Sequence, residues 1–348
     1  MVNAKKIAEM AGVSRSTVQR ALSGNPNIAS ETKRRVLEIA ESLGYTPNKT
    51  ARALVMRQQD IRYGVIFSSM NNPFYQEVLK GVNAAKNEIS DYGVKIDVRF
   101  MERISAEKQI ELINEFVKEG YKGIAFIPID TEEVRKAVNA GIAAGTQFIT
   151  IVTDILETRR LCFVGQDNKQ SGKVAGGIMS LMLQRGQKAA CVIGSKQYSA
   201  HRRRLEGFID RFHKNHPEGS IADIYENDDD SAISENITKQ ILSEHPDIRG
   251  IFIAGAGVEG VCRVIESGNL GSMIKIICYD LTEDHIQYCR KGIIDIIIDQ
   301  DPFSEGYQAL KILNEYIMFN EIPRNFEYSG LDIRTADNIG EEYGYTME

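Results

Sequence analysis

Arg15, Ser16, Gln19 and Arg20 fall on one side of the segment RSTVQRAL (15–22), whose other side is Val18, Ala21 and Leu22. This spacing predicts a short helix with a packed inner face and an outer face of guanidinium, hydroxyl and amide groups. Such a face suits the DNA major groove, where arginine donates two hydrogen bonds to guanine. Ser14 is placed as the N-cap of that helix. Upstream, Ile7, Ala8, Met10 and Ala11 give a first amphipathic helix, and Gly12 stands where it would stop. Downstream, Ser30 is placed to cap a third helix with Glu31 in its first turn; Val36, Ile39, Ala40 and Leu43 form its inner stripe and Gly44 ends it. Three short helices around one small core make the minimum helix-turn-helix unit. Tyr45 to Asn48 break the pattern, and Thr50 to Met56 fit one more turn or two of helix. A piece that short does not hold its own nucleus and needs DNA or a partner copy to fold on.

A second set of polar residues lies in loops. From Tyr63 onward apolar strands alternate with amphipathic helices: YGVIFS (63–68), VKIDVRF (94–100), GIAFIP (123–128), then QFITIV, LCFV, AACVIG, IADIY, GIFIA, KIICY and DIIID. Repeated βαβ units with apolar strands mean parallel sheets covered on both faces. About 285 residues of this kind favour two sheets with a cleft between them over one very wide sheet. Ligands of open α/β sheets sit at the carboxyl ends of the strands. The loops there read SSMNNPFY, PIDT, TDI, GQDN, SKQYSAHRRR, AGAG, YDLT and DQDP. They gather carboxylates, amides, arginines and aromatic rings, the groups that hold a polyhydroxylated molecule, although Asp and Asn at such places also serve as helix caps.

Charge divides the 348-residue chain. Residues 1–58 carry a net +6 while the whole chain carries −6, so the remainder carries −12. A basic head on an acidic body points to a polyanion partner for the head alone. The five cysteines (162, 191, 262, 278, 289) form no C-x-x-C pair and four lie in or beside apolar stretches, which predicts buried thiols without disulfide or zinc roles. No metal, cofactor or membrane partner is expected, and MVNAKKIAEM lacks the apolar core of a signal peptide, so the expected location is the cytoplasm. The sequence contains no G-x-S-x-G, Walker loop or H-E-x-x-H, and the acids Asp154, Asp167 and Asp280 have no nucleophile beside them; an enzyme is not expected.

The segments KIAEMAGVSRSTVQRALSG and IASETKRRVLEIAESLGYTPN resemble the helix-turn-helix signature of the lactose repressor (LacI/GalR) family of bacterial transcription regulators, and NKTARAL (48–54) resembles its hinge helix. The body is similar to periplasmic sugar-binding proteins through NNPFYQEVLKG (71–81), the D-x-x-x-S-G of Asp167 to Gly172, the R-x-x-G of Arg204 to Gly207, and Asp280. The resemblance implies a small all-α helix-turn-helix domain at 1–47, a hinge at 48–60, and an α/β body at 61–348 of two doubly wound parallel-sheet lobes, divided as 61–160 with 293–325 and 161–292 with 326–348. It assigns base reading to Arg15, Ser16 and Arg20, and phosphate contact to Ser14 and Thr17; Gln19 shares the outer face of the same helix. In the hinge that Asn48 opens, it lays Ala51 against the minor groove, Arg52 near the backbone and Leu54 as a wedge between base pairs. In the interlobe cleft it assigns effector contact to Phe74, Tyr75, Asp154, Arg204, Asp280 and Gln300, with Phe303 nearby.

One departure stands out: Gly255 and Ala256 occupy the place where many relatives carry an Asn-Asp pair, and the chain has no tryptophan. The implied partners are a double-stranded, pseudo-palindromic DNA operator, a small carbohydrate-like effector and a second copy of the chain. The final EEYGYTME has no apolar heptads, so a homodimer is expected over a dimer of dimers.

Overall fold

A computed structural model describes residues 4–22, 28–43, 59–68 and 72–339, the side chain of Gln19 excepted. The hinge residues Asn48, Ala51, Arg52 and Leu54 lie outside the described residues, as does Gly44.

The head consists of α1 (Ala4–Ala11), α2 (Arg15–Leu22) and α3 (Ser30–Ser42). Ile7, Ala8, Ala11, Val18, Ala21, Val36 and Ala40 close into one buried cluster, drawn from the stripes that the helical period predicts. Ser14 caps α2 by accepting the Thr17 N–H at 3.1 Å. Ser30 does not cap α3: it is already its first helical residue, Ala29 holds the cap position and no side chain bonds there. Glu31 and Glu38 instead bracket Arg34 along that helix at 2.6 and 2.8 Å.

The body has two six-stranded sheets. In the first, β1 (Arg62–Phe67), β2 (Lys95–Phe100), β3 (Gly123–Phe126), β4 (Gln147–Ile151), β5 (Cys162–Gly165) and β11 (Phe326–Tyr328) run parallel in the order β11-β5-β4-β3-β1-β2. In the second, β6 (Lys188–Ile193), β7 (Ile221–Glu226), β8 (Ile248–Ile253), β9 (Lys275–Tyr279) and β10 (Ile296–Asp299) run parallel, and β12 (Asp332–Arg334) closes the edge antiparallel to β10.

The helices between them are α4 (Pro73–Ser90), α5 (Ala106–Lys118), α6 (Glu132–Ala143), α7 (Asn168–Met182), α8 (Ser199–Asn215), α9 (Ser231–Glu244), α10 (Val258–Ser267), α11 (Glu283–Arg290) and α12 (Pro302–Phe319). Two glycines show that both faces of the first sheet are covered. Tyr63 pairs with Gly123 and Gly64 with Ile124, so Gly64 and Gly123 point to opposite faces. A side chain at Gly64 would strike Phe116 of α5, whereas one at Gly123 would strike Leu313 of α12.

The division of lobes differs from the expected one at all three crossings. Cys162–Gly165 pairs with β4 and stays in the first lobe, β10 pairs with β9 and stays in the second, and β11 returns to the first beside β5. The reason is that short apolar strands such as CFVG read alike in either sheet; only tertiary pairing decides where they go. Gln166 ties the crossings together, its Nε2 donating to Asp299 O at 3.2 Å and Gly330 O at 2.9 Å.

Candidate functional site

Two regions hold the residues singled out in the sequence. On α2, Arg15, Ser16 and Arg20 are exposed while Val18 is fully buried. The Ser14 hydroxyl lies 2.7 Å from that of Ser16 and 2.8 Å from that of Thr17, and Arg20 Nε donates back to Ser16 O at 3.4 Å. A packed inner face thus fixes a row of donors on the outer one. That is the form a major-groove reader needs.

In the body, the glycines of the two helix motifs explain how the cleft is built. A Cβ at Gly172 would sit 2.0 Å from Arg204 O, and one at Gly207 would sit 2.1 Å from Lys169 O. Only glycine lets α7 and α8 come this close. Their contact brings Arg204 onto Asn168, whose Oδ1 accepts from Nε at 2.8 Å. The guanidinium also donates to Ala254 O at 3.2 Å and Gln300 Oε1 at 2.7 Å, and lies 3.9 Å above the Tyr279 ring. Gln300 Nε2 passes the chain of bonds to Asp280 Oδ1 at 2.5 Å. Burial pushes the Asp280 carboxyl up, against the pull of Arg204 and Gln300. Behind Asp280, His285 faces two acceptors, Asp280 O at 2.6 Å and Glu259 Oε1 at 3.2 Å. Both ring nitrogens therefore donate, and the imidazole is held protonated. Burial is the largest single influence and opposes this on both partners, but their bond, their mutual charge attraction and the further hydrogen bonds to each together outweigh it: His285 rises and Glu259 falls to about 2.

The structure brings Arg204, Asp280 and Gln300 together, sets Phe74 on a cavity shared with Asp280, and sends Asp154 and Phe303 elsewhere. Asp154 is satisfied within its own lobe: Thr150 Oγ1, the Ile155 N–H and Arg160 Nε bond its Oδ1, and Arg160 Nη2 its Oδ2. Arg160 continues to Asn325 and locks β11 in place, which leaves that carboxylate little capacity for a ligand. Phe303 is 43% exposed and stacks on Tyr307 rather than covering the cleft. Phe74 and Tyr75 are buried and meet edge to face at 5.6 Å, positioned by Asn72, which caps α4 through the Phe74 N–H, with Pro73 at the first helical place.

Several cleft residues went unnoticed in the sequence. A cavity of about 470 Å³ is bounded by Ser68 and Tyr75 from the first lobe and Tyr198, Asp228 and Asp229 from the second, with Glu102 and Arg103 also on its lining. Asp229 takes the room left by the Gly255-Ala256 departure. A Cβ at Gly255 would come within 2.6 Å of its Oδ1, which accepts the Ala256 N–H at 2.8 Å. A carboxylate from a different loop therefore stands where an Asn-Asp pair was expected, a substitution invisible without the fold. Asp230, by contrast, caps α9, accepting from the Ala232 and Ile233 N–H groups. The lobes also touch directly: Arg202 pairs with Asp130, the Ser199 and Thr153 hydroxyls are 2.9 Å apart, and the Asp130 N–H donates to Gln197 O at 2.9 Å. Of the eight described non-glycine residues with positive φ, Val152, Asp228, Asp229, Asp280 and Asp301 all lie just past carboxyl strand ends, so backbone strain gathers at the cleft.

Residues 4–48 match the family described as bacterial regulatory proteins, lacI family, and residues 63–321 match the periplasmic binding protein domain. The chain belongs to the periplasmic binding protein domain family through its body and carries a lacI-family helix-turn-helix domain at its head. Among curated relatives, the probable HTH-type transcriptional repressor ExuR of Bacillus subtilis (strain 168) is 28% identical over 221 residues, 62% of this chain and 62% of that protein. The HTH-type transcriptional regulator MalR of Staphylococcus xylosus is 40% identical over 86 residues, 24% of this chain and 26% of its own length. The alignments thus span less than two thirds of these relatives. Among solved structures, a Burkholderia graminis C4D1M solute-binding protein in complex with D-arabinose superposes with a TM-score of 0.75 at 23% identity, over 80% of this chain and 96% of its own. GanP, a glucose-galactose binding protein of Geobacillus stearothermophilus, gives 0.75 at 21% identity, over 81% and 99%. At such identity the likeness is one of fold.

Proposed function

We propose that the protein is a transcription repressor that binds a pseudo-palindromic DNA operator as a homodimer and is controlled by a small carbohydrate-like effector between the lobes of its body. The single observation that carries this reading is the exposed row of Arg15, Ser16 and Arg20 on α2, set on a packed three-helix core in the same chain as a two-lobed ligand-binding fold. The names of the relatives support it, since ExuR is called a probable transcriptional repressor and MalR a transcriptional regulator.

In this reading Arg15, Ser16 and Arg20 meet base edges while Ser14 and Thr17 meet phosphate. Gln19, on the same helix, joins the contact. Leu54 unstacks the central base step, with Asn48, Ala51 and Arg52 along the minor groove. An apolar wedge of this kind costs a few kcal/mol of unstacking, offset by the closer fit of the bent duplex. In the body, Arg204, Asp280 and Gln300 form the floor of the effector site and Phe74 and Tyr75 one wall. The effector acts through its differential affinity for two lobe arrangements, because equal affinity for both would shift nothing. A change of lobe arrangement moves the two hinge segments of the dimer apart, and the heads keep only non-specific affinity. The protein works in the cytoplasm, where its operator is. No described helix is long and apolar enough to cross a membrane.

Selection of binding sites from a random duplex pool with the full-length protein, with and without a sugar panel, tests this reading. The expected result is a two-fold symmetric site whose enrichment changes with one sugar. A site without symmetry, or no enrichment, overturns it.

A further inference from the structure

Two hydroxyls in the interlobe cavity lack a well-formed hydrogen bond. Ser68 is 1% exposed and Tyr198 is 2% exposed, yet neither Ser68 Oγ nor Tyr198 OH makes a hydrogen bond of normal geometry among the described residues; Ser68 Oγ lies only near enough to the Tyr75 and Tyr198 hydroxyls to interact with both weakly. They come from opposite lobes, and both line the 470 Å³ cavity beside Tyr75 and Asp229. A buried polar group normally finds a partner, so two such hydroxyls facing one space call for a ligand that offers hydrogen-bonding groups to both lobes. The rings of Tyr75 and Tyr198 supply flat apolar surface next to those groups. That combination fits a sugar ring, whose hydroxyls project around an apolar face.

The charges around the cavity decide which kind of sugar. Its lining includes Glu102, Asp228, Asp229 and Asp230 against Arg103 alone. The smaller cavity past Phe74, of about 250 Å³, is lined by Glu77, Asp280, Glu283 and Asp284 with no basic residue. The nearby guanidiniums are already engaged, Arg204 by Asn168, Ala254 and Gln300, and Arg202 by Asp130 and Lys196. His201 is buried next to Asp229 with Nδ1 2.9 Å from the Ser195 N, and burial pushes its pKa down, which disfavours a positive charge there. Carboxylates accept hydrogen bonds and repel other anions. A carboxylate or phosphate on the ligand would meet like charge, with only the exposed Arg103 to pair with.

We propose that this cavity takes an uncharged polyhydroxylated ligand, gripped by Ser68 and Tyr198 from opposite lobes and accepted by Asp228 and Asp229, and that it rejects sugar acids and sugar phosphates. The proposal rests on the reading of the body as an effector domain and adds the residues and the charge class.

Calorimetric titration of the full-length protein with D-arabinose, D-galactose, D-galacturonate and D-glucose 6-phosphate tests it. At least one uncharged sugar is expected to bind at least tenfold more tightly than either anion. Ser68→Ala and Tyr198→Phe, each checked for an unchanged circular dichroism spectrum, are each expected to weaken it about fivefold or more. Asp229→Asn is expected to narrow the gap between galactose and galacturonate. Tighter binding of an anionic sugar overturns the charge class while leaving a sugar effector in place. Binding of an uncharged sugar that both hydroxyl variants leave unchanged overturns the residue assignment. If none of the four binds, the proposal falls, and if the operator selection is also indifferent to sugars, the carbohydrate-effector reading falls with it.

Discussion

The polar residues of α2 and those of the cleft are treated in opposite ways. Arg15 and Arg20 stand in solvent on a helix whose fold does not need them, whereas Arg204 is 2% exposed and bonded to Asn168, Ala254 and Gln300 at once. The head displays its polar groups for a partner that arrives from outside. The body has first to satisfy its own polar groups, and Ser68, Tyr198 and the Asp228-Asp229 pair are the ones that face the cavity. Substitutions in the two regions should therefore be felt in different quantities: specificity for DNA in the head, stability and ligand response in the body.

Arg204→Ala should have the largest effect. It leaves Gln300 and Asn168 without a donor and removes the guanidinium from the buried Asp280, and breaking such an arrangement costs about 3–5 kcal/mol. Urea denaturation should show a lower midpoint, and any ligand response should be lost. Should Arg204→Ala be as stable as the parent, the buried network is not what organises the second lobe.

Glu305 gives the next effect, with its own pH signature. This carboxyl is fully buried where the chain crosses between lobes; Oε1 accepts from Ser329 at 2.7 Å and Oε2 has no partner among the described residues. Burial pushes its pKa up to about 8, with Asp280 and Asp301 adding to the rise and the Ser329 bond and Arg204 opposing it. A carboxyl raised in the folded state is protonated in both states below the ordinary value of about 4.5 and contributes no pH dependence there. Between that value and about 8 the unfolded chain has lost the proton and the folded one keeps it, so stability falls as pH rises, and above about 8 it levels. Glu305→Gln should flatten this slope by a few kcal/mol across the window. Melting curves from pH 5 to 9 check it, and an identical slope in both proteins would show that Glu305 ionises freely.

Arg20→Ala sharpens the contrast from the other side. Loss of one base-reading guanidinium should cost about 1–3 kcal/mol on the operator and relax its sequence preference, while non-specific affinity changes little. Binding to operator and to random duplex at one salt concentration separates the two. Equal loss on both would make Arg20 a phosphate contact. The melting temperature of the body should not move.

The same contrast explains what the sequence reveals. The inner face of α2, its exposed outer face and its cap at Ser14 depend on residues a few positions apart, so the helical period exposes them. The alternation of strands and helices likewise yields two parallel-sheet lobes, because apolar runs such as YGVIF and GIAF are buried on both sides. The cleft depends on which strand ends meet. Nothing local says that CFVG stays with the first sheet, that Asp229 fills the room beside Gly255, or that Arg160 occupies Asp154. The motif glycines at 172 and 207 were visible as motifs; that they are two sides of one helix contact needed the packing. Ser30 is missed for a smaller reason, since a serine before a helix and a serine at its first position look alike in sequence.

Ser14→Ala is the mildest test and the one that asks whether the head's two tasks are separate. The Ser14 hydroxyl accepts the Thr17 N–H and also sits within 2.8 Å of the Ser16 and Thr17 hydroxyls, so it both ends the turn and orders the first residues of the reading face. Removing a serine cap costs about 1 kcal/mol. If capping is its whole role, stability of the head falls by that amount, and operator and random duplex lose affinity in proportion to the unfolded fraction alone. If Ser14 also meets phosphate, affinity for every duplex falls further than stability predicts, while the salt dependence of binding stays that of the parent, because a neutral hydroxyl releases no counterion. Measuring head unfolding alongside binding distinguishes them. A loss of affinity no larger than the unfolded fraction explains would remove Ser14 from the DNA-contacting set and leave it as the cap that holds Arg15 and Ser16 in position.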